Sequence, residues 1–154
     1  MPHRSRTCYL PGNILNLLVP KQLLFAAALA YTGLITYLSL INLADTSVGK
    51  LGVGDKLMHL GAYFGLAIIW LLFLLFKAGN ESFAKNIVLV CAGCIVFGTF
   101  IEVLQHMLTE YRQLDLLDVL ANSIGAIAAG TLVWLLKEIL IRLKVKINLF
   151  FLKK

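Results

Sequence analysis

Residues 102–130 read EVLQHMLTEYRQLDLLDVLANSIGAIAAG, a stretch that leaves one apolar run, crosses a short polar turn and enters the next. Only 14% of the residues in the whole chain are charged. The stretch nevertheless contains a concentration of polar side chains, namely Glu102, Gln105, His106, Glu110, Arg112, Asp115, Asp118 and Asn122. A polar group removed from water must be paired, and ionisable residues at the edge of a bilayer mark functional sites. The stretch therefore predicts a site.

The rest of the chain predicts an integral membrane protein. Of its 154 residues, 60% are hydrophobic. Four apolar runs are each long enough to cross a hydrocarbon layer about 30 Å thick, which takes roughly 20 helical residues. We assign these spans to residues 22–43, 57–76, 86–107 and 117–137. Because lipid requires every backbone polar group to be bonded within its span, the predicted fold class is all-α, an integral membrane four-helix bundle.

The basic residues predict the orientation of this bundle. With four spans, both termini and the middle loop lie on one side and hold 11 of the 14 Lys and Arg residues, against Lys50, Lys56 and Arg112 on the other. Positively charged flanks stay cytoplasmic. We therefore expect a cytoplasmic arm at residues 1–21, a transmembrane domain at 22–137 and a basic cytoplasmic tail at 138–154. Basic flanks beside anionic lipid account for the net charge of +6, so no nucleic-acid partner is expected.

Three polar helix faces are predicted on the non-cytoplasmic side, each built from residues three or four apart. They are formed by Asp55, His59 and Tyr63 in span 2, by Glu102, Gln105 and His106 in span 3, and by Asp118, Asn122 and Gly125 in span 4. Since spans 2 and 4 begin where span 3 ends, we expect these faces to meet in one pocket, with Lys56 and Arg112 as its cations. Taken singly, Asp55 has a plainer interpretation as a helix cap and His59 as a hydrogen-bonded buried histidine.

Small residues predict close helix contacts. Small side chains at every fourth position let two helices approach, and span 4 has two such rows, Ala121, Gly125 and Ala129 in one and Ala126 and Gly130 in the other. Span 3 contains a C-x-x-C pair, Cys91 and Cys94, beside Gly93 and Gly98. Without a second cysteine pair in an outer loop, we interpret these two cysteines as packing residues rather than as a redox site.

The order and spacing of the polar residues resemble those of the VanZ-like family of bacterial membrane proteins. The pattern is D-K-x-x-H-x-x-x-Y at residues 55–63, E-x-x-Q at 102–105, and Arg112, Asp118, Asn122 and Gly125 at the family's spacing, so it covers about residues 50–130. The family is named for a protein associated with resistance to the glycopeptide teicoplanin. The resemblance implies a small multi-pass protein of the bacterial inner membrane, related to the cell envelope and to antibiotic resistance. It implies a fold and motif positions rather than a reaction, and His106 lies outside it.

The content of the expected pocket suggests that it binds or modifies an amphiphilic envelope ligand, such as a lipid-linked cell-wall precursor or a lipoglycopeptide. In this hypothesis His59 or Glu102 is the general base and Asp118 orients the histidine, so these three are the catalytic candidates. Lys56 and Arg112 are suited to a phosphate or carboxylate. The full ligand-binding set is Asp55, Lys56, Tyr63, Gln105, Arg112 and Asn122.

Other functions fit the same residues. In the main alternative the protein is not an enzyme, and its polar residues form an interhelical network that fixes helix register or supports a partner protein. A transporter would call for ionisable residues in both halves of the membrane, or for broken helices. His59, Glu102, Asp118 and His106 have donor atoms that suit zinc, but no closely spaced H-x-x-x-H pair anchors them. Neither a metal nor a cofactor is therefore expected from the sequence, and membrane lipid is the expected partner.

Overall fold

A computed structural model describes residues 21–41, 54–77, 83–108 and 115–152. The described chain is all-helical, with helices α1 (Lys21–Leu40), α2 (Asp55–Lys77), α3 (Phe83–Leu108), α4 (Leu116–Leu135) and α5 (Lys137–Leu152). The first four are long and apolar enough to cross a membrane, and each overlaps one predicted span. The all-α prediction is therefore confirmed. The expected arm up to residue 20 and the predicted pocket residue Arg112 lie outside the described residues.

The fifth helix was not among the predicted spans. It follows α4 after the single turn residue Leu136 and reads KEILIRLKVKINLFFL. Its repeated charges conceal the helix in a search for long apolar runs, which is why the sequence suggested only a basic tail there. Leu140 and Ile141 pack against the edge of the core, and the Lys137 ammonium lies 5.0 Å from the centroid of the Phe83 ring.

The centre of the bundle is the contact between α2 and α4. A Cβ atom at Gly125 would lie 2.3 Å from the backbone oxygen of Leu60, so only glycine permits this approach. Lys56 faces Asp118, and four residues later on α2 Leu60 faces Gly125, which is seven residues later on α4. Both helices therefore run in the same direction, so α2 and α4 are parallel. Helix α3 packs antiparallel to both. The two predicted rows of small residues in α4 are buried, which confirms their role in close packing.

The small residues of α3 behave differently from one another. A Cβ at Gly98 would lie 3.0 Å from the Tyr63 ring, so this glycine permits a close contact as expected. The same expectation for Gly93 is wrong, since a Cβ there meets nothing within 4 Å and the residue lines an apolar groove with Trp70 and Phe97. Cys91 and Cys94 are free thiols, and Cys91 Sγ donates a hydrogen bond to the carbonyl of Ala126 at 3.4 Å. These contacts agree with the packing interpretation of the cysteines.

The first helix lies at the side of the bundle. The Trp70 indole of α2 donates a hydrogen bond to Thr32 Oγ1 of α1 at 3.3 Å, and few α1 side chains are buried. The outward faces of the first four helices carry many exposed large apolar side chains, including Leu29, Val88, Val96, Phe100 and Ile127. Contiguous apolar surface of this kind is unusual on a soluble monomer and is typical of a membrane protein.

Candidate functional site

Polar side chains from three helices meet at one end of the bundle, around the imidazole of His59. His59 Nδ1 lies 3.2 Å from Asn122 Oδ1 of α4 and 3.8 Å from Glu102 Oε1 of α3. His59 Nε2 lies 3.7 Å from Asp118 Oδ2 of α4 and 3.8 Å from Asp55 Oδ1 of α2. We refer to the group formed by Asp55, Lys56, His59, Glu102, Asp115, Asp118 and Asn122 as the polar cluster.

The start of α4 determines which of its residues face α2. Asp115 has an extended backbone conformation and is the N-cap of α4, where its Oδ1 accepts a hydrogen bond from the Leu117 N–H at 2.8 Å. Capping satisfies one of the amide groups left without a partner in the first helical turn. With the helix starting at this point, Asp118 in the first turn and Asn122 one turn later both face α2.

Lys56 connects α2 to α4. Its ammonium donates a hydrogen bond to Asp115 and lies 2.8 Å from Asp118 Oδ1. Lys56 and then the Leu117 N–H hold the pKa of the Asp115 carboxyl below its usual value. Sequence reasoning assigned Lys56 to the ligand-binding set and named Asp115 in the polar stretch, but did not include Asp115 among the catalytic or ligand-binding candidates. The signal that could have identified Asp115 is its place as an acidic residue just before span 4, on the same membrane side as Lys56.

The polar cluster is buried on one side and open on the other. Only 3% of Glu102, 5% of Asp118 and 1% of Asn122 is exposed. By contrast, 49% of the Asp55 side chain and 45% of the Lys56 side chain are accessible. A ligand arriving at this end of the bundle therefore meets Asp55 and Lys56 first and reaches the buried carboxylates through them.

Two predicted ligand-binding residues lie in helix interfaces. Gln105 Nε2 donates a hydrogen bond to the backbone oxygen of Ser39 at 2.6 Å, which ties α3 to α1. Tyr63 is buried one turn below His59, with its ring centroid 6.1 Å from that of Phe97. Among the described residues, the Tyr63 hydroxyl has no hydrogen-bond partner. For both residues the contacts indicate packing, and a role in ligand binding stays a prediction. His106 is exposed.

An apolar groove adjoins the polar cluster. It has a volume of about 410 Å³ and runs between α2 and α4. Lys56 stands at its polar end, and its walls are formed by apolar side chains that include Leu60, Leu120 and Ile124. A ligand with a polar group in the cluster would therefore have a place for an apolar chain next to it.

The charges of the cluster are unbalanced. The described residues contribute four carboxylates, from Asp55, Glu102, Asp115 and Asp118, against the single ammonium of Lys56. The partly buried histidine between carboxylates is suited to proton transfer, and the excess of acid favours a positively charged group of a ligand or a cation.

Comparison of the chain with protein-family models, with curated proteins and with solved structures gives no match. The class of protein is therefore assigned from the fold and the site alone. They describe an all-helical protein with four helices long and apolar enough to cross a membrane, and a polar cluster at one end of those helices.

Proposed function

We propose that this chain is a VanZ-like protein of the bacterial inner membrane, and that its polar cluster binds the headgroup of an amphiphilic envelope ligand. The observation that carries this proposal is the position of Lys56, where the buried acidic cluster and the apolar groove between α2 and α4 meet. Polar and apolar parts of one ligand then have adjacent places in the protein. The spacing of the VanZ-like motif, whose residues supply most of the cluster, supports the family assignment.

The membrane orientation follows from the basic residues. The apolar outward faces of α1 to α4 fit a four-helix bundle in lipid. The basic flanks then favour cytoplasmic termini, with the polar cluster on the non-cytoplasmic side of the membrane. That side is where lipid-linked cell-wall precursors and lipoglycopeptides are encountered, so these are the ligand classes we propose.

The geometry revises the expected role of Lys56. Its ammonium already binds Asp115 and Asp118, so an anionic headgroup would have to compete with two carboxylates for it. The general-base candidates remain His59, whose Nδ1 contacts Asn122 and whose Nε2 lies next to Asp118, and the buried Glu102. Modification of the bound amphiphile would require one of these two residues.

Native mass spectrometry of the protein extracted with its surrounding lipid tests this function. We expect a co-purifying amphiphile on the wild-type chain, which His59→Ala in the cluster and Leu120→Trp in the groove should both remove. Two matched variants should keep it, since His106 is exposed on α3 and Val96 is 70% exposed on a lipid-facing surface. Loss of the amphiphile in His106→Ala or Val96→Trp, or its retention in Leu120→Trp, would contradict the proposal.

A structural function has its own supporting observation. Several polar contacts join different helices, including Lys56 with Asp115 and Gln105 with the backbone of Ser39. If these residues only fix helix register, His59→Ala should lower the melting temperature and membrane abundance, with no amphiphile on the wild-type chain. If the cluster is a binding site, the variant should lose the amphiphile and remain folded in the membrane.

A further inference from the structure

We propose that the polar cluster binds a divalent transition-metal ion, best matched by zinc, with Asp55, His59 and Asp118 as its protein ligands. Each of the three offers one donor atom, and these atoms all lie within 4.8 Å of one another. The site differs from the metal set considered on sequence grounds, in which Glu102 and His106 accompanied His59 and Asp118. His106 is exposed and outside the cluster, and Asp55 takes its place.

The distances fit an ion better than direct hydrogen bonds. His59 Nε2 lies 3.8 Å from Asp55 Oδ1 and 3.7 Å from Asp118 Oδ2, which exceeds the usual hydrogen-bond distance. Donor atoms that share a tetrahedral zinc ion at bonds of about 2.1 Å lie about 3.4 Å apart. Small rotations of the half-exposed Asp55 side chain and of Asp118 would bring all three donors to that spacing.

The other ring nitrogen of His59 supplies a second observation that points to an ion. Asn122 is 1% exposed, and its Oδ1 lies 3.2 Å from His59 Nδ1. An amide oxygen only accepts hydrogen bonds, so this contact favours a hydrogen on Nδ1 and leaves Nε2 facing the carboxylates. Metal-binding histidines are held in this way, with the second N–H donated to an oxygen. Asn122 Nδ2 has no hydrogen-bond partner among the described residues. The contact of Oδ1 with His59 is therefore the hydrogen bond that orients this buried side chain.

His59 Nε2 faces two carboxylate oxygens, and their negative charge favours a cation at the point where the three atoms converge. Lys56 compensates Asp118 through the other carboxylate oxygen, Oδ1, so its ammonium does not occupy the position beside Nε2. A divalent ion next to Nε2 would neutralise the two carboxylates that face the ring.

The donor set favours zinc over the alkaline-earth ions. Imidazole suits zinc and other transition metals, whereas magnesium and calcium prefer sites made only of oxygen. Three protein ligands with one open position are typical of zinc sites that accept an exogenous ligand. If the proposed function holds, on which this step rests, that open position would accept an anionic headgroup that the acidic cluster alone would repel.

The test uses the full-length protein in detergent, with its affinity tag removed because a polyhistidine tag binds zinc. After dialysis against a chelator, titration with zinc chloride should give about one zinc ion per chain by calorimetry and by elemental analysis. His59→Ala and Asp118→Asn should abolish this binding. Asn122→Leu, which removes the orienting group and keeps the ligands, should weaken it about 10–100-fold. His106→Ala is the control and should bind zinc as the wild type does.

Circular dichroism and gel filtration establish that each variant is folded. The metal site would be overturned if the wild type took up no zinc, if His106→Ala bound less, or if magnesium displaced zinc at equal concentration. Native mass spectrometry on the same samples separates the two proposals. Zinc binding with no bound amphiphile would support the metal site and contradict the proposed function, and a bound amphiphile with no zinc binding would do the reverse.

Discussion

The imidazole of His59 touches side chains from α2, α3 and α4, and Lys56 next to it joins two of these helices. Each charged group of the polar cluster has few other partners within reach. Asp118 is 5% exposed, so the carboxylate depends on the neighbouring ammonium for its compensation. Removal of one partner from a buried pair leaves the other charge uncompensated, which costs more than the net value of the pair.

Replacement of Lys56 by methionine should therefore lower the melting temperature in detergent. A second change, Asp118→Asn, in the Lys56→Met background should restore part of the loss, because it removes the carboxylate left without its cation. Lys85→Met is the control, since Lys85 is exposed at the start of α3 and away from the cluster. An unchanged melting temperature in Lys56→Met would mean that the contact with Asp115 and Asp118 contributes nothing to stability.

The sequence is informative about some of these residues and silent about others. Spacing and topology bring His59, Glu102 and Asp118 to the same end of the bundle, and the structure has them in contact. Spacing does not fix how far each helix is rotated about its axis. For that reason it could not indicate that Lys56 would bind Asp115, or that Gln105 would turn to the backbone of α1.

Helices α2 and α4 are held at a separation set by Gly125. A Cβ atom there would meet the Leu60 backbone at 2.3 Å, and backbone atoms cannot move aside as a flexible side chain can. His59 precedes Leu60, and Asn122 lies one turn before Gly125. The close contact in the middle of the bundle thus sets the distance between α2 and α4 at the polar cluster.

Gly125→Ala should push the helices apart and cost about 1–3 kcal/mol, the usual penalty of overpacking. Gly61→Ala is the matched control on α2, where an added Cβ meets nothing within 4 Å. It should be neutral or stabilising by about 0.5–1 kcal/mol, because alanine is the better helix former. Reversible unfolding in detergent measures both. Equal effects of the two substitutions would argue against a close α2–α4 contact.

The C-terminal helix belongs to the opposite end of the bundle. Helix α4 has 20 residues, so its two ends are about 30 Å apart at 1.5 Å per residue. Deletion of residues 142–154 should lower membrane abundance by removing basic residues that favour anionic headgroups, and should leave zinc binding unchanged. Calorimetry on the truncated protein measures the second effect, and a loss of zinc binding in folded protein would place α5 in communication with the cluster.

The four apolar spans were recognisable from composition because length and hydropathy suffice to find them. Helix α5 was not, because charges interrupt its apolar residues and its packing on α4 is a tertiary contact. Gly93 shows the same limit in reverse. The small size of Gly93 suggested a close helix contact. Which face of α3 meets a neighbour, however, depends on the packing of the whole bundle.

Among the described residues, the buried polar side chains lie at one end of an apolar bundle, and this asymmetry predicts a direction in the membrane. In a cysteine-free background, Thr109→Cys, directly after α3 in the sequence, should react in intact cells with a maleimide that does not cross the inner membrane. Ser82→Cys, directly before α3 in the sequence, should react only after the cells are opened. The reverse pattern would place the polar cluster on the cytoplasmic side and contradict the proposed ligand classes.

The parallel course of α2 and α4 has an electrostatic consequence for the polar end. Both helices begin there, so the positive ends of two backbone macrodipoles point toward the same acidic side chains. Asp55 and Asp118 lie in the first turns of these helices, and Asp115 caps one of them. Each such contact stabilises a carboxylate by about 0.3–1 kcal/mol. The peptide backbone thus offsets part of the mutual repulsion among the acidic side chains at this end of the bundle.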